Sequence, residues 1–168
     1  MKIEKKTALI TGGASGLGLA TARKIIASDG KVMILDLNEE AAKSAVNELG
    51  HSASYAIANV TDEESVRSAI LKTIESFNSL DIVVNCAGIG SASKTVGKEG
   101  PHPLDYFKLV IEINLVGTFN VLRLAAVEMA NNKPADDGEC GVIINTSSVA
   151  AFDGQIGQAA YTASKAGV

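Results

Sequence analysis

Short apolar runs alternate with longer stretches in which apolar residues recur every three or four positions, and this alternation continues along the whole chain. The first run, Thr7 to Thr11, reads as a buried strand, and a helix is predicted from Gly16 to Ser28, where Asp29-Gly30 stops it. Val32-Met33-Ile34-Leu35 is a second strand. Asn38 can cap a helix running through Leu49, with Gly50 just past its end, before Tyr55 to Val60 alternates as a third strand. Thr61-Asp62-Glu63-Glu64 has the capping-box spacing, with Thr61 as the cap, and Val66, Ile70, Ile74 and Phe77 then fall on one helical face. Leu80 to Ala87 is the fourth strand, a Gly- and Ser-rich loop covers Gly88 to Pro103, and a long helix follows from Leu104 to about Asn131. A polar loop, Lys133 to Gly138, returns to Val142-Ile143-Ile144, the fifth strand.

Strands that read as unbroken apolar runs are buried on both faces, and the helices between them supply the crossovers a parallel sheet requires. The pattern predicts a single α/β domain over 1–168, a doubly wound parallel sheet. The chain stops at Val168, seven residues after Tyr161, where the pattern opens another helix. The expectation is a fold truncated after the fifth strand and the start of that helix.

Composition narrows the function classes. At 168 residues and 46% hydrophobic, the chain can bury a core without disulfides or a structural metal, which excludes disorder and small disulfide scaffolds. Fifteen Lys and Arg against 19 Asp and Glu, with no basic cluster longer than Lys5-Lys6, argue against a nucleic-acid partner. Cys86 and Cys140 lie 54 positions apart with no Cys or His near either in sequence, so no metal site is expected. His51 and His102 are expected to be solvated. No run approaches the roughly 20 apolar residues of a membrane span, and the start before Thr7 is too short for a leader. A cytoplasmic location is expected, or a mitochondrial one if the source is eukaryotic.

The glycine-rich segment Thr11-Gly12-Gly13-Ala14-Ser15-Gly16-Leu17-Gly18 joins the first strand to the first helix. Glycines there permit positive φ and close approach of the backbone to a pyrophosphate, which the helix N-terminus can hold with its free N–H groups. Alone, such a segment is also compatible with an ordinary strand-to-helix turn, the lesser of the two readings. Asp36, at the end of the second strand and 18 residues after Gly18, changes this, because an acid placed there can accept bonds from the adenosine ribose hydroxyls. It also repels a 2′-phosphate, and neither Ser15 nor Leu37 offers a cation to attract one, so NAD is favoured over NADP. A second group lies near the C-terminus: Ser147-Ser148 after the fifth strand, and Tyr161 and Lys165 four apart on one helical face. A phenol, with its ordinary pKa of about 10, needs a neighbouring cation to work as an acid-base group at neutral pH, and Lys165 can be that cation.

Taken together, Thr11 to Gly18, Asn85-Cys86-Ala87-Gly88, Asn114, Ser148 and Tyr161-Thr162-Ala163-Ser164-Lys165 resemble the short-chain dehydrogenase/reductase family in order and spacing over the whole chain. The resemblance implies a Rossmann-like fold and an NAD(P)-dependent oxidoreductase. In it Tyr161 exchanges the proton, Ser148 polarises the substrate oxygen, Lys165 holds the ribose, and Asn114 binds a water that continues the relay. Ser15 and Leu17 would touch the pyrophosphate along with Gly12, Gly16 and Gly18, while Cys86, Ala87 and Gly88 would lie beside the cofactor and Gln155 beside the substrate. Asn59, before Val60, stands where the family usually has Asp, so the adenine amino group would meet an amide oxygen instead of a carboxylate. The long connection Gly88 to Pro103 and the insert Lys133 to Gly138 resemble those of members that accept acyl-CoA. The implied reaction is NAD-dependent oxidation of a 3-hydroxyacyl-CoA, with steroids or other secondary alcohols as side substrates, by a protein that is a homotetramer when whole. An NADPH-dependent 3-ketoacyl-carrier-protein reductase and an inactive nucleotide-binding fragment are the rival readings.

Overall fold

The computed structural model describes residues 1–90, 92–98 and 100–168. Along the chain it runs β1 (Thr7–Thr11), α1 (Gly16–Ala27), β2 (Lys31–Asp36), α2 (Glu39–Leu49), β3 (Ala53–Ile57), α3 (Glu63–Phe77) and β4 (Ile82–Asn85). A hairpin, β5 (Val96–Gly97) and β6 (Gly100–Pro101), precedes α4 (Leu104–Ile111), a π-helical turn at Glu112–Val116, α5 (Gly117–Met129), β7 (Val142–Asn145), a 3-10 turn at Val149–Ala151 and α6 (Ala159–Gly167).

Five strands pair in parallel in the order β3-β2-β1-β4-β7. This is the expected Rossmann-like α/β architecture. β1 sits at the centre with every residue buried, and its side chains alternate between two apolar layers. On one face Leu9, Met33 and Val83 pack with Val66 and Ile70 of α3 and Val121 and Leu124 of α5. On the other, Ala8, Ile10, Val32 and Ile34 pack with Ala22 and Ile25 of α1 and Ala42 of α2. Each such Val, Leu or Ile contributes about 1.5–3 kcal/mol by leaving water. The strand order changes direction between β1 and β4, which leaves a crevice at their C-terminal ends.

Several local expectations are corrected. The third strand is Ala53–Ile57, earlier than Tyr55 to Val60, because pairing with Val32 to Asp36 sets its register and the chain turns away after Ala58 N–H donates to the Asp36 carbonyl. Asp62, not Thr61, caps α3, its carboxylate accepting from the Ser65 N–H at 2.6 Å. β7, which reads as buried on both faces in a whole fold and as an exposed apolar edge in a truncated one, is the edge of this sheet, with Val142 and Ile144 36% and 50% exposed. His102 is not solvated, since both its ring nitrogens are buried without a partner among the described residues while the ring packs edge-on against Tyr106 and Phe107.

The long helix is continuous but changes its winding, from α4 through the π turn into α5. Leu104–Met129 makes one 26-residue rod, long and apolar enough by length and composition to cross a bilayer, contrary to the sequence expectation. One of its faces buries Val110, Asn114, Val121, Leu124 and Ala125 in the domain.

Candidate active site

β1 delivers Thr11 to the crevice, where its hydroxyl accepts the N–H groups of Cys86 (3.2 Å) and Ala87 (3.1 Å) and ties β1 to the segment after β4. Gly12 follows at φ 61°, and a Cβ there would lie 3.0 Å from the Ala87 backbone, so only glycine satisfies both the dihedral and the space. A Cβ on Gly18 would collide with the Gly12 carbonyl. Gly16 has a positive φ and open space where its Cβ would be. No side chain caps α1 at Ser15, so the first N–H groups of that helix stay available to an anionic ligand.

Gly12, Ser15, Gly16, Leu17 and Gly18 from this loop, Asp36 at the end of β2, Asn59 and Val60 after β3, and Cys86, Ala87 and Gly88 after β4 line one cleft of about 410 Å³. A cleft of this size and mixed lining suits a small-molecule ligand. Leu35, Leu37, Ala58, Ile89 and Ile113 complete the walls. Of these, Leu35, Ala58, Ile89 and Ile113 were missed as ligand-facing from the sequence because an apolar side chain in the wall of a cleft has the same signature as one in the core. Asp36 is fixed across the mouth of the loop, accepting from the Ala14 N–H at 3.2 Å and the Asn38 N–H at 3.1 Å. Its carboxylate retains further acceptor capacity for a ribose. The Asn59 amide oxygen accepts from both the N–H and the hydroxyl of Thr61 (3.1 and 3.0 Å).

Tyr161 and Lys165 stand on α6, outside the lining of this cleft but next to it. A Cβ on Gly88 would lie 3.7 Å from Lys165 Nζ and 3.0 Å from Asn114 Oδ1, so the missing side chain is what lets the cleft approach them. Lys165 is only 6% exposed, its ammonium donates to the Thr146 carbonyl at 2.7 Å, and it lies 6.0 Å from the centroid of the Tyr161 ring. Burial pushes its pKa below the ordinary lysine value, an effect that Cys86 partly opposes. Ser147 donates its hydroxyl to the Lys165 carbonyl at 2.8 Å and so pins α6 to the end of β7. Ser148 caps the 3-10 turn, its oxygen accepting from Ala150 N–H at 3.2 Å, while its own O–H donates to no group among the described residues. That turn packs against α6.

Asn114 is buried in the π turn. Its side chain has protein partners on both atoms: Oδ1 accepts from Ile89 N–H (2.8 Å), and Nδ2 donates to the Ile89 carbonyl and to Ser164 Oγ (both 3.0 Å). Its main-chain carbonyl accepts from the Thr118 hydroxyl at 2.7 Å. Asn114 therefore joins the loop after β4 to α6, a role shared with Ser164 and Thr146 that no motif announced. Gln155 is exposed and lines a second cleft with Lys94, Thr95, Ile156 and, from the Tyr161 helix, Thr162.

A parallel sheet whose glycine loop, strand-end carboxylate and uncapped helix N-terminus converge on one cleft defines a dinucleotide-binding α/β domain. The sequence profile described as short chain dehydrogenase matches residues 6–168, and the chain belongs to that family. It is 52% identical over 163 residues to the 3-hydroxyacyl-CoA dehydrogenase type-2 of Bos taurus, covering 96% of this chain and 62% of the relative. The crystal structure of 3-hydroxyacyl-CoA dehydrogenase type-2 from Mycobacterium avium superposes with a TM-score of 0.92 at 39% identity, over 99% of this chain and 66% of that one. An NAD+-bound xylitol dehydrogenase superposes with a TM-score of 0.86 at 32% identity, over 99% of this chain and 62% of that one. The chain thus spans about 62% of the length of the curated mammalian relative.

Proposed function

We propose that this chain carries the cofactor cleft and proton-transfer residues of an NAD-dependent dehydrogenase that oxidises a 3-hydroxyacyl-CoA to the 3-ketoacyl-CoA. The observation that carries the reading is the convergence of the glycine loop, Asp36 and Gly88 on one cleft, with Lys165 and Tyr161 beside its Gly88 end. The open space at Gly16 and the uncapped start of α1 fit a pyrophosphate, and Asp36 fits the ribose diol of NAD. The acyl-CoA substrate is supported by the names of the most similar relatives, and the use of NAD by Asp36 and by the NAD+-bound structural neighbour.

When bound, NAD supplies the hydride acceptor. The protein's own part is to orient the substrate and move its proton. Ser148 donates its O–H to the substrate oxygen, and Tyr161 as phenolate takes the hydroxyl proton as the carbonyl forms. The Lys165 ammonium favours the negative charge on that phenol and is itself held by the Thr146 carbonyl. Assembly as a homotetramer belongs to the same proposal, supported by the exposed apolar positions Leu109, Val116 and Phe119 along the helical rod. Steady-state assays of the full-length protein with 3-hydroxyacyl-CoA and either NAD or NADP test the reading. Higher kcat/KM with NAD is expected, and faster turnover with NADP refutes the role of Asp36.

A further inference from the structure

Ile89, Asn114, Ser164 and Tyr161 are joined by hydrogen bonds whose directions are all determined. Ile89 N–H can only donate, so the Asn114 atom that meets it at 2.8 Å is Oδ1, which fixes the orientation of the carboxamide. Asn114 Nδ2 must then donate, and the Ser164 oxygen accepts from it at 3.0 Å. The single proton of the Ser164 hydroxyl goes to the Tyr161 carbonyl at 2.8 Å, an atom that can only accept. The three bonds point the same way, from a wall residue of the first cleft to the main chain of Tyr161, and bonds in such a series strengthen one another. Asn114 and Ser164 are both fully buried, so water does not compete for the bond between them.

Tyr161 stands in the first turn of α6, where Gln158 supplies no side-chain cap, and an uncapped first turn frays. The phenol therefore needs an anchor from outside the helix. We propose that Ser164 is a positioning residue for the proton transfer: by tying the Tyr161 carbonyl to Asn114, it holds the phenol in place relative to Lys165 and to the Ile89 wall of the cleft. The inference rests on the dehydrogenase reading of Tyr161 and Lys165. With no exposed surface, Ser164 cannot meet a substrate and acts only through its neighbours.

The test compares the full-length protein with its Ser164→Ala and Ser164→Cys variants, the second of which keeps a side chain of similar shape but a far weaker donor. Oxidation of a short-chain 3-hydroxyacyl-CoA by NAD is followed across pH, and NADH binding is titrated by fluorescence to count competent sites. In Ser164→Ala, kcat per NADH-binding site should fall about ten-fold, and in Ser164→Cys by a smaller factor, while the NADH dissociation constant stays within about three-fold. The midpoint of the rise of kcat with pH should also move up by about half a unit or more, because a phenol held less well beside the Lys165 ammonium gives up its proton less readily. A hydroxyl that only stabilises the fold predicts a lower Tm with kcat per site and the pH midpoint unchanged in both variants. That result overturns the positioning role and leaves the dehydrogenase reading intact. An unaltered protein that oxidises no 3-hydroxyacyl-CoA overturns both.

Discussion

Asn114→Ala removes a fully buried carboxamide that serves three groups, the Ile89 N–H, the Ile89 carbonyl and the Ser164 hydroxyl. A buried polar group left without a partner costs about 1–3 kcal/mol. Ile89 is half-buried, so water can reach its two groups through the vacated space, whereas Ser164 is buried and keeps only its bond to the Tyr161 carbonyl. The total loss is about 2–4 kcal/mol, which in a domain of this size lowers Tm by roughly 5–15 °C. Urea unfolding of the full-length protein followed by circular dichroism measures the first figure and calorimetry the second. Turnover should fall as well, although neither Tyr161 nor Lys165 is altered, because the carboxamide is what joins the loop after β4 to α6. A loss below about 0.5 kcal/mol, the range of an inert surface change, would refute the claim that these bonds hold the two segments together.

Tyr161→Phe should lower kcat by about 10²–10⁴-fold while NADH binding by fluorescence titration stays nearly unchanged, and Lys165→Ala should damage both. Asp36→Ala combined with Leu37→Arg should move the kcat/KM ratio toward NADP by about ten-fold or more, since a repulsive carboxylate is replaced by a nearby cation. Burial would raise the pKa of Asp81, but the Lys6 ammonium (2.8 Å), the Thr7 N–H (3.0 Å) and the Ser79 hydroxyl (2.7 Å) hold it below the ordinary carboxylate value. The unfolded chain then takes up the proton first, so this contribution is full above the unfolded pKa of about 3.9 and is lost as pH falls through the folded one. Asp81→Asn should flatten the acid limb of a Tm-against-pH profile.

The alternation of apolar runs and helical periodicity determined the α/β class by itself, because a strand buried on both faces and a helix with one buried face cannot exchange patterns. The cofactor cleft was legible for a similar reason: Gly12, Gly18 and Asp36 sit at fixed distances along short strand-to-helix connections, where few conformations satisfy the backbone. Tertiary structure decided what depends on partners far apart in sequence. Pairing with β2 set the register of β3. Asn114 became a tie between the loop after β4 and α6 only because the π turn and the packing of α6 bring both Ile89 and Ser164 within reach of one carboxamide. A hydrogen bond is short and directional, so which polar groups remain for a ligand is settled only when every neighbour has taken its share.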